Sequence, residues 1–107
     1  MKLKDTAFTV RAERAILFRV MLSEERNSGE EPLDELRRLA ETAGANVVHT
    51  VVQNRVSIDP VYYIGKGKAL ELSKIAKEMD VDVLICDDDL TPAQVKNLEK
   101  VIDEKVI

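Results

Sequence analysis

Two short stretches of this sequence combine residue types that bind or transfer charged groups. In the first, Gly65-Lys66-Gly67-Lys68, glycine and lysine alternate directly before a helical pattern. Exposed backbone N–H groups, a helix dipole and ammonium groups all favour a bound anion, so the turn is a candidate phosphate site. The Walker spacing GxxxxGK[ST] is missing because Ala69 follows Lys68, and the dinucleotide pattern fails at Leu70. Spacing alone therefore favours a tight entry turn with solvated lysines.

The second stretch is the acidic run Asp87-Asp88-Asp89, which follows the apolar residues 83–86. Carboxylates are suitable ligands for Mg²⁺, but side chains alternate in direction along a strand, so at most two of the three would converge on one ion. Thr91, Pro92 and Gln94 then have the form of a helix start, with a Thr-Gln capping box and proline in the first position. Aspartate is also favoured in turns and near helix N-termini. The pattern therefore favours a structural junction over a metal site or catalysis.

Two residues with reactive side chains occur once each. Cys86 lies inside an apolar strand pattern and is predicted to be a buried core residue in a reducing compartment. His49 interrupts another apolar run, and without further ligands nearby it is predicted to be a hydrogen-bonded structural residue. Neither pattern indicates a catalytic residue.

Composition restricts the classes of function. The 107 residues suffice for one domain with a core, and hydrophobic residues make up 45% and charged residues 34% of them. A net charge of −4 gives no global attraction for nucleic acid, so any contact with RNA must come from a local basic patch. No apolar run reaches the length of a membrane span, and the N-terminus lacks the apolar core of a signal peptide. We therefore expect a cytoplasmic protein.

The elements that position these residues alternate between strand and helix patterns. Residues 1–14 form a poorly defined leader with a short strand at Ala7 to Val10, and residues 15–107 form the domain. Strands are predicted at 15–21, 47–52, 83–86 and from 106, and helices at 32–43, 68–79 and 92–103. The connection from Gln53 to Lys68 is unusually long, as in functional or mobile loops.

Three right-handed crossovers then predict an α/β fold. Its four-stranded, mainly parallel sheet has the order 2-1-3-4, with helices on both faces. The loop of residues 22–31 is expected beside the acidic run, where strands one and three diverge. The last strand stops after two apolar residues, which we interpret as truncation of a longer protein.

Two segments in register resemble a known family. Tyr62 to Lys68 (YYIGKGK) and Asp87 to Glu99 (DDDLTPAQVKNLE) are similar to the YIGKGK-type loop and the DDxLxPAQxxNLE-type junction of the N-terminal domain of HflX-family translational GTPases. The resemblance spans residues 15–107. It implies contact with ribosomal RNA of the large ribosomal subunit and modulation of the family's own GTPase domain elsewhere in the full-length protein.

Arg55, Lys66 and Lys68 are the best-placed cations for a phosphate backbone. The candidate residues for RNA or phosphate binding become Arg55, Tyr63, Gly65, Lys66, Gly67 and Lys68, and the structural junction gains Asn97. GTP and Mg²⁺ are implied for the full-length family, and ATP binding for some relatives. No Walker A loop, NKxD motif or helical linker occurs in the sequence, so GTP hydrolysis is not assigned to these residues and no cofactor is expected within them. The alternative is an ATP-binding or ATP-hydrolysing module that uses the GKGK turn and the acidic run with Mg²⁺.

Overall fold

A computed structural model describes residues 12–25 and 31–107 of the chain. The predicted strand at Ala7 to Val10 lies outside the described residues. No helix in the described ranges is long and apolar enough to cross a membrane. The elements in chain order are β1 (Arg14–Leu22), a short 3-10 turn (Ser23–Glu25), α1 (Asp34–Thr42), β2 (Asn46–Arg55), α2 (Lys66–Glu78), β3 (Val83–Cys86), α3 (Pro92–Ile102) and β4 (Lys105–Val106).

The four strands form one sheet in the order β2-β1-β3-β4, and every neighbouring pair is parallel. The predicted class and strand order are confirmed. β1 lies in the middle because Ala15 to Phe18 are apolar on both faces, and all four of these residues are fully buried. The chain moves from β1 to β2 on one side and then returns to β3 on the other side of β1. The carboxyl ends of β1 and β3 therefore lie at the topological switch point of the sheet.

Alternation along β1 divides the core between the two faces of the sheet. Ile16, Phe18 and Val20 belong to the larger cluster, which includes residues of α2 and α3. Leu17 faces the opposite side and packs with Leu33 and with Ala40 of α1. Helices thus cover both faces, as predicted.

Some element boundaries differ from the prediction. Helix α1 begins at Asp34 and not at Pro32, because Leu33 adopts non-helical angles (φ −113°, ψ 5°). Strand β2 continues to Arg55, where polar residues are tolerated because β2 is an edge strand that pairs only with β1. Helix α2 begins at Lys66, two residues before the predicted start. The long connection is therefore reduced to residues 56–65.

A one-residue irregularity in β2 sets which side chains face α2. Ala15 pairs with Val47 but Ile16 pairs with His49, so Val48 is an extra residue. Beyond this point Gln53 pairs with Val20, and Arg55 pairs with Leu22. Cross-strand partners share a face, so the Gln53 and Arg55 side chains lie on the α2 side of the sheet.

Candidate phosphate-binding site

The first turn of α2 presents backbone donors without a side-chain cap. Gly65 is the N-cap, with φ −65° and ψ 152°, and it offers no side chain to cap the helix. The N–H of Ala69 donates to the Gly65 carbonyl at 3.0 Å, so the N–H groups of Lys66, Gly67 and Lys68 precede the intrahelical ladder. The turn contains no acidic residue. Helix dipole and free N–H groups therefore favour an anion at this end.

Arg55 lies against this turn from the end of β2. A Cβ atom added to Gly65 would be 2.8 Å from Nη1 of Arg55. Since φ −65° is open to any residue, the backbone conformation does not require glycine here, and a Cβ would displace only the flexible end of the Arg55 side chain. The Arg55 Nε–H donates to the Ser57 carbonyl at 2.9 Å, and the Gly65 N–H donates to Oε1 of Gln53 at 3.3 Å. Strand β2 thus supplies one cation and one tether to the helix start.

The two lysines of the turn differ in environment. Lys66 is exposed, whereas Lys68 is half-buried and its Nζ lies 3.2 Å from the Glu71 carboxylate. Such a surface pair at i,i+3 contributes little to stability. Together with Arg55, the lysines form a local basic patch on a chain of net charge −4. The structure therefore brings Arg55, Gly65, Lys66, Gly67 and Lys68 of the predicted site together.

The loop before the turn is held by Asp59. Its Oδ1 accepts from the N–H groups of Val61 at 2.8 Å and Tyr62 at 2.7 Å. The backbones of Asp59 and Tyr63 exchange two further hydrogen bonds at 3.1 and 2.8 Å. The N–H of Tyr62 is the main reason that the pKa of the Asp59 carboxyl is lowered, and attraction from Arg55 contributes to the same shift. The loop is therefore a closed, internally bonded turn.

Tyr63 is a predicted site residue that the structure places in the core. Its side chain is 1% exposed and packs edge-on against Phe18, with ring centroids 5.9 Å apart. Its hydroxyl accepts from the Val20 N–H at 2.8 Å and donates to Oδ2 of Asp88 at 3.2 Å. Burial raises the pKa of the Tyr63 phenol, so the hydroxyl stays protonated. Tyr63 therefore offers no surface to a phosphate and instead occupies the crevice between β1 and β3.

The backbone at Tyr63 shows how strongly the loop is specified. Its φ is +67°, a left-handed conformation that costs about 1–2 kcal/mol for a residue with a Cβ. Burial of the ring and the two hydroxyl bonds offset this cost. The chain reverses here and delivers the fully buried Ile64 to the core directly before Gly65.

The acidic run is divided among separate partners. Arg19 reaches Asp87, with Nη1 3.1 Å from its carbonyl oxygen and 3.5 Å from Oδ2, and Arg19 Nη2 also binds Glu25 at 2.9 Å. Asp88 accepts from Tyr63 and from the Asp89 N–H at 3.1 Å. Within residues 12–25 and 31–107, no group of three or more His, Cys, Asp or Glu side chains is arranged to hold a metal ion.

The neighbouring thiol is unreactive. Cys86 is buried at the end of β3, as predicted, and burial raises its pKa to about 12. A thiol with such a pKa holds almost no thiolate at neutral pH, so it is no nucleophile.

The start of α3 forms as predicted. Oγ1 of Thr91 accepts from the Gln94 N–H at 3.1 Å, and Oε1 of Gln94 accepts from the Thr91 N–H at 2.9 Å. Pro92 occupies the first helical turn. This complete capping box satisfies donors at the α3 start, so α3 differs from the uncapped α2.

Residues 30–107 match the family model described as GTP-binding GTPase N-terminal. The chain belongs to this family. It is 45% identical over 95 residues to GTPase HflX of Lacrimispora saccharolytica and 42% identical over 95 residues to GTPase HflX of Caldanaerobacter subterraneus. It is 30% identical over 95 residues to GTPase HflX of Escherichia coli K12. Each match covers 89% of this chain and 22% of the relative, so the chain spans about a fifth of the length of these relatives. The HflX resemblance is confirmed.

The second HflX-type segment contacts both the first segment and the loop residues directly before it. Nε2 of Gln94 donates to the Asp59 carbonyl at 2.9 Å, and Nδ2 of Asn97 donates to the Val61 carbonyl at 3.1 Å. The Tyr63–Asp88 hydrogen bond joins the two segments themselves. Sequence reasoning missed these contacts, as well as the roles of Gln53 and Asp59. The Asp59-Pro60 pair signals a turn, but no spacing shows that an amide about 35 positions later binds it.

Proposed function

We propose that residues 15–107 form an accessory domain of an HflX-like GTP-binding protein that binds backbone phosphates of ribosomal RNA in the large ribosomal subunit. The observation that carries this proposal is the uncapped start of α2 with the Arg55 guanidinium against Gly65. Free N–H groups, the positive end of a helix dipole and cations from two elements converge there. The proposal also places the protein in the cytoplasm, where ribosomes work.

A polyanion fits this patch better than a free small anion does. Lys66 is exposed and Arg55 and Lys68 are half-buried, and the chain as a whole carries a charge of −4. Long-range attraction is therefore weak, and affinity has to come from several phosphate contacts made at once. RNA supplies phosphates at regular spacing, so one can bind between the helix start and Arg55 while others contact the lysines.

GTP and Mg²⁺ are proposed to bind the family's GTPase domain, since these 107 residues lack the Walker A and NKxD motifs. In this proposal the domain modulates GTP hydrolysis in the GTPase domain by binding to the ribosome. An ATP site built on the acidic run has less support. Asp87 is paired with Arg19, and the Tyr63 hydroxyl occupies the crevice where open α/β sheets bind ligands.

Charge reversal in the α2 turn tests the proposal. Binding of the chain to purified large ribosomal subunits is measured over a salt series for wild type and for Lys66→Glu/Lys68→Glu. Each lost phosphate contact should flatten the log–log salt dependence by about one unit, so the double variant should bind more weakly with a slope smaller by about two.

The matched control is Lys74→Glu/Lys96→Glu, which makes the same change of net charge at exposed positions of α2 and α3 outside the turn. It should retain the wild-type slope. Equal binding by Lys66→Glu/Lys68→Glu and wild type across the series would show that the turn is not the contact.

A further inference from the structure

Two amide side chains of α3 support the loop that leads into the α2 turn. Nε2 of Gln94 and Nδ2 of Asn97 donate to the carbonyls of Asp59 and Val61 at 2.9 and 3.1 Å. Neither amide lies in the basic patch. We infer that Gln94 and Asn97 are positioning residues, which hold the loop so that Arg55 and the α2 turn converge on one phosphate group. This inference rests on the proposed function, because it names what sets the geometry of the same site.

The chemistry of Gln94 points to a second role besides capping. A capping box needs only an oxygen at this position, and glutamate serves as well as glutamine. Here Oε1 completes the box, and the remaining Nε2 donates across to the loop. Gln94 is 5% exposed, and no other amide or charged side chain is buried in the described ranges. An unsatisfied Nε2 at this depth would be costly, so the bond to Asp59 is strongly specified.

The loop connects the two amides to both parts of the phosphate site, Arg55 and the first turn of α2. Asp59 receives the Gln94 amide on its carbonyl, while its carboxylate attracts Arg55. Six residues further on, Gly65 caps α2 and receives the Arg55 guanidinium at close range. A displacement of Asp59 therefore moves Arg55 and alters the entry of the chain into α2. Phosphate contacts depend on such geometry, since donors misplaced by an ångström lose their bond.

The loop has other anchors, so it should remain folded without the amides. The Asp59 turn and the Tyr63 hydroxyl bonds involve neither Gln94 nor Asn97. Loss of one amide donor should therefore loosen the site and leave the domain intact. We expect about 2- to 10-fold weaker RNA binding, the range that one hydrogen bond of typical net strength spans.

Three variants separate positioning from folding and charge. Gln94→Glu keeps the capping-box oxygen and replaces the donor to Asp59 by an oxygen. Asn97→Ala removes the donor to Val61 without adding charge. Ala93→Glu adds the same negative charge as Gln94→Glu at an exposed neighbouring position whose native side chain makes no hydrogen bond. Binding to purified large ribosomal subunits is measured over a salt series at a temperature where circular dichroism shows each variant folded.

The expected result is weaker binding and a salt slope smaller by about one unit for Gln94→Glu and Asn97→Ala, although neither change removes a cation. Ala93→Glu should bind as wild type. Wild-type affinity and slope in both Gln94→Glu and Asn97→Ala would overturn the inference, as would an equal loss in Ala93→Glu and Gln94→Glu. If Gln94→Glu does not fold, Asn97→Ala decides alone.

The same series distinguishes this inference from the proposed function. If Lys66→Glu/Lys68→Glu binds as wild type, the phosphate site itself is wrong. If that double variant loses binding while the two amide variants do not, the site stands and the positioning role fails.

Discussion

Replacing Tyr63 by phenylalanine removes a single oxygen that connects three elements. The hydroxyl joins the loop to β1 through the Val20 N–H at 2.8 Å and to the end of β3 through Asp88 at 3.2 Å. The ring remains, so its contact with Phe18 is kept. The variant therefore isolates the two polar bonds.

The magnitude follows from the burial of each partner. Val20 is 1% exposed, so its N–H cannot form a hydrogen bond with water in place of the lost one. Leaving this donor without a partner costs about 1–3 kcal/mol. Asp88 is exposed, and water replaces the lost donor at little cost. We expect unfolding free energy to fall by about 1–3 kcal/mol, and Tm by roughly 5–20 °C for a domain of this size.

The assay is urea unfolding followed by circular dichroism, with Tyr62→Phe as the matched control. Tyr62 precedes Tyr63 and is half-buried, so the same chemical change is made at a site without the Val20 bond. Equal stability losses of the two variants would refute the reasoning that the Tyr63 hydroxyl fills the crevice between β1 and β3.

Further predictions concern the junction and the loop. Thr91→Ala should cost about 0.5–2 kcal/mol in urea unfolding because a helix N–H loses its acceptor, and Thr91→Ser should restore most of it; no loss in Thr91→Ala would show that the cap is not stabilising. The pKa of Asp59 is lowered, chiefly by the Tyr62 N–H, so its contribution to stability is present above the unfolded value of 3.8 and is lost as pH falls through the folded pKa. The urea midpoint of unfolding should therefore fall less steeply at acid pH in Asp59→Asn than in wild type. The same fall in both proteins would contradict this. Wild type should show no rise in Tm with Mg²⁺; a rise that Asp88→Asn abolishes would instead support a metal site.

The fold was predictable because its signals are local. Ala15 to Phe18 form a run that is apolar on both faces, which indicates a central parallel strand. Thr91 and Gln94, three positions apart, match the capping-box pattern of a helix start. Because strands and helices alternate along the chain and parallel crossovers are right-handed, few strand orders are possible for the sheet.

The candidate site was only partly predictable. The GKGK turn was identified from its residue types, but its contact with Arg55 depends on an irregularity at Val48 that no pattern showed. Tyr63 was predicted to be an RNA- or phosphate-binding residue and lies in the core, because a left-handed backbone at a non-glycine residue is set by tertiary packing. The amide contacts of Gln94 and Asn97 to the loop are long-range and leave no local signature.

The central claim is that the first turn of α2 receives a phosphate of ribosomal RNA. Its most direct test is a titration of ¹⁵N-labelled chain with short RNA fragments prepared from purified large-subunit ribosomal RNA, followed by amide chemical shifts. We predict that the largest shifts occur at Lys66, Gly67 and Lys68, with the Arg55 side chain following, and that they weaken as salt is added. Largest shifts at Asp87 to Asp89, or none in the α2 turn at saturating RNA, would contradict the account.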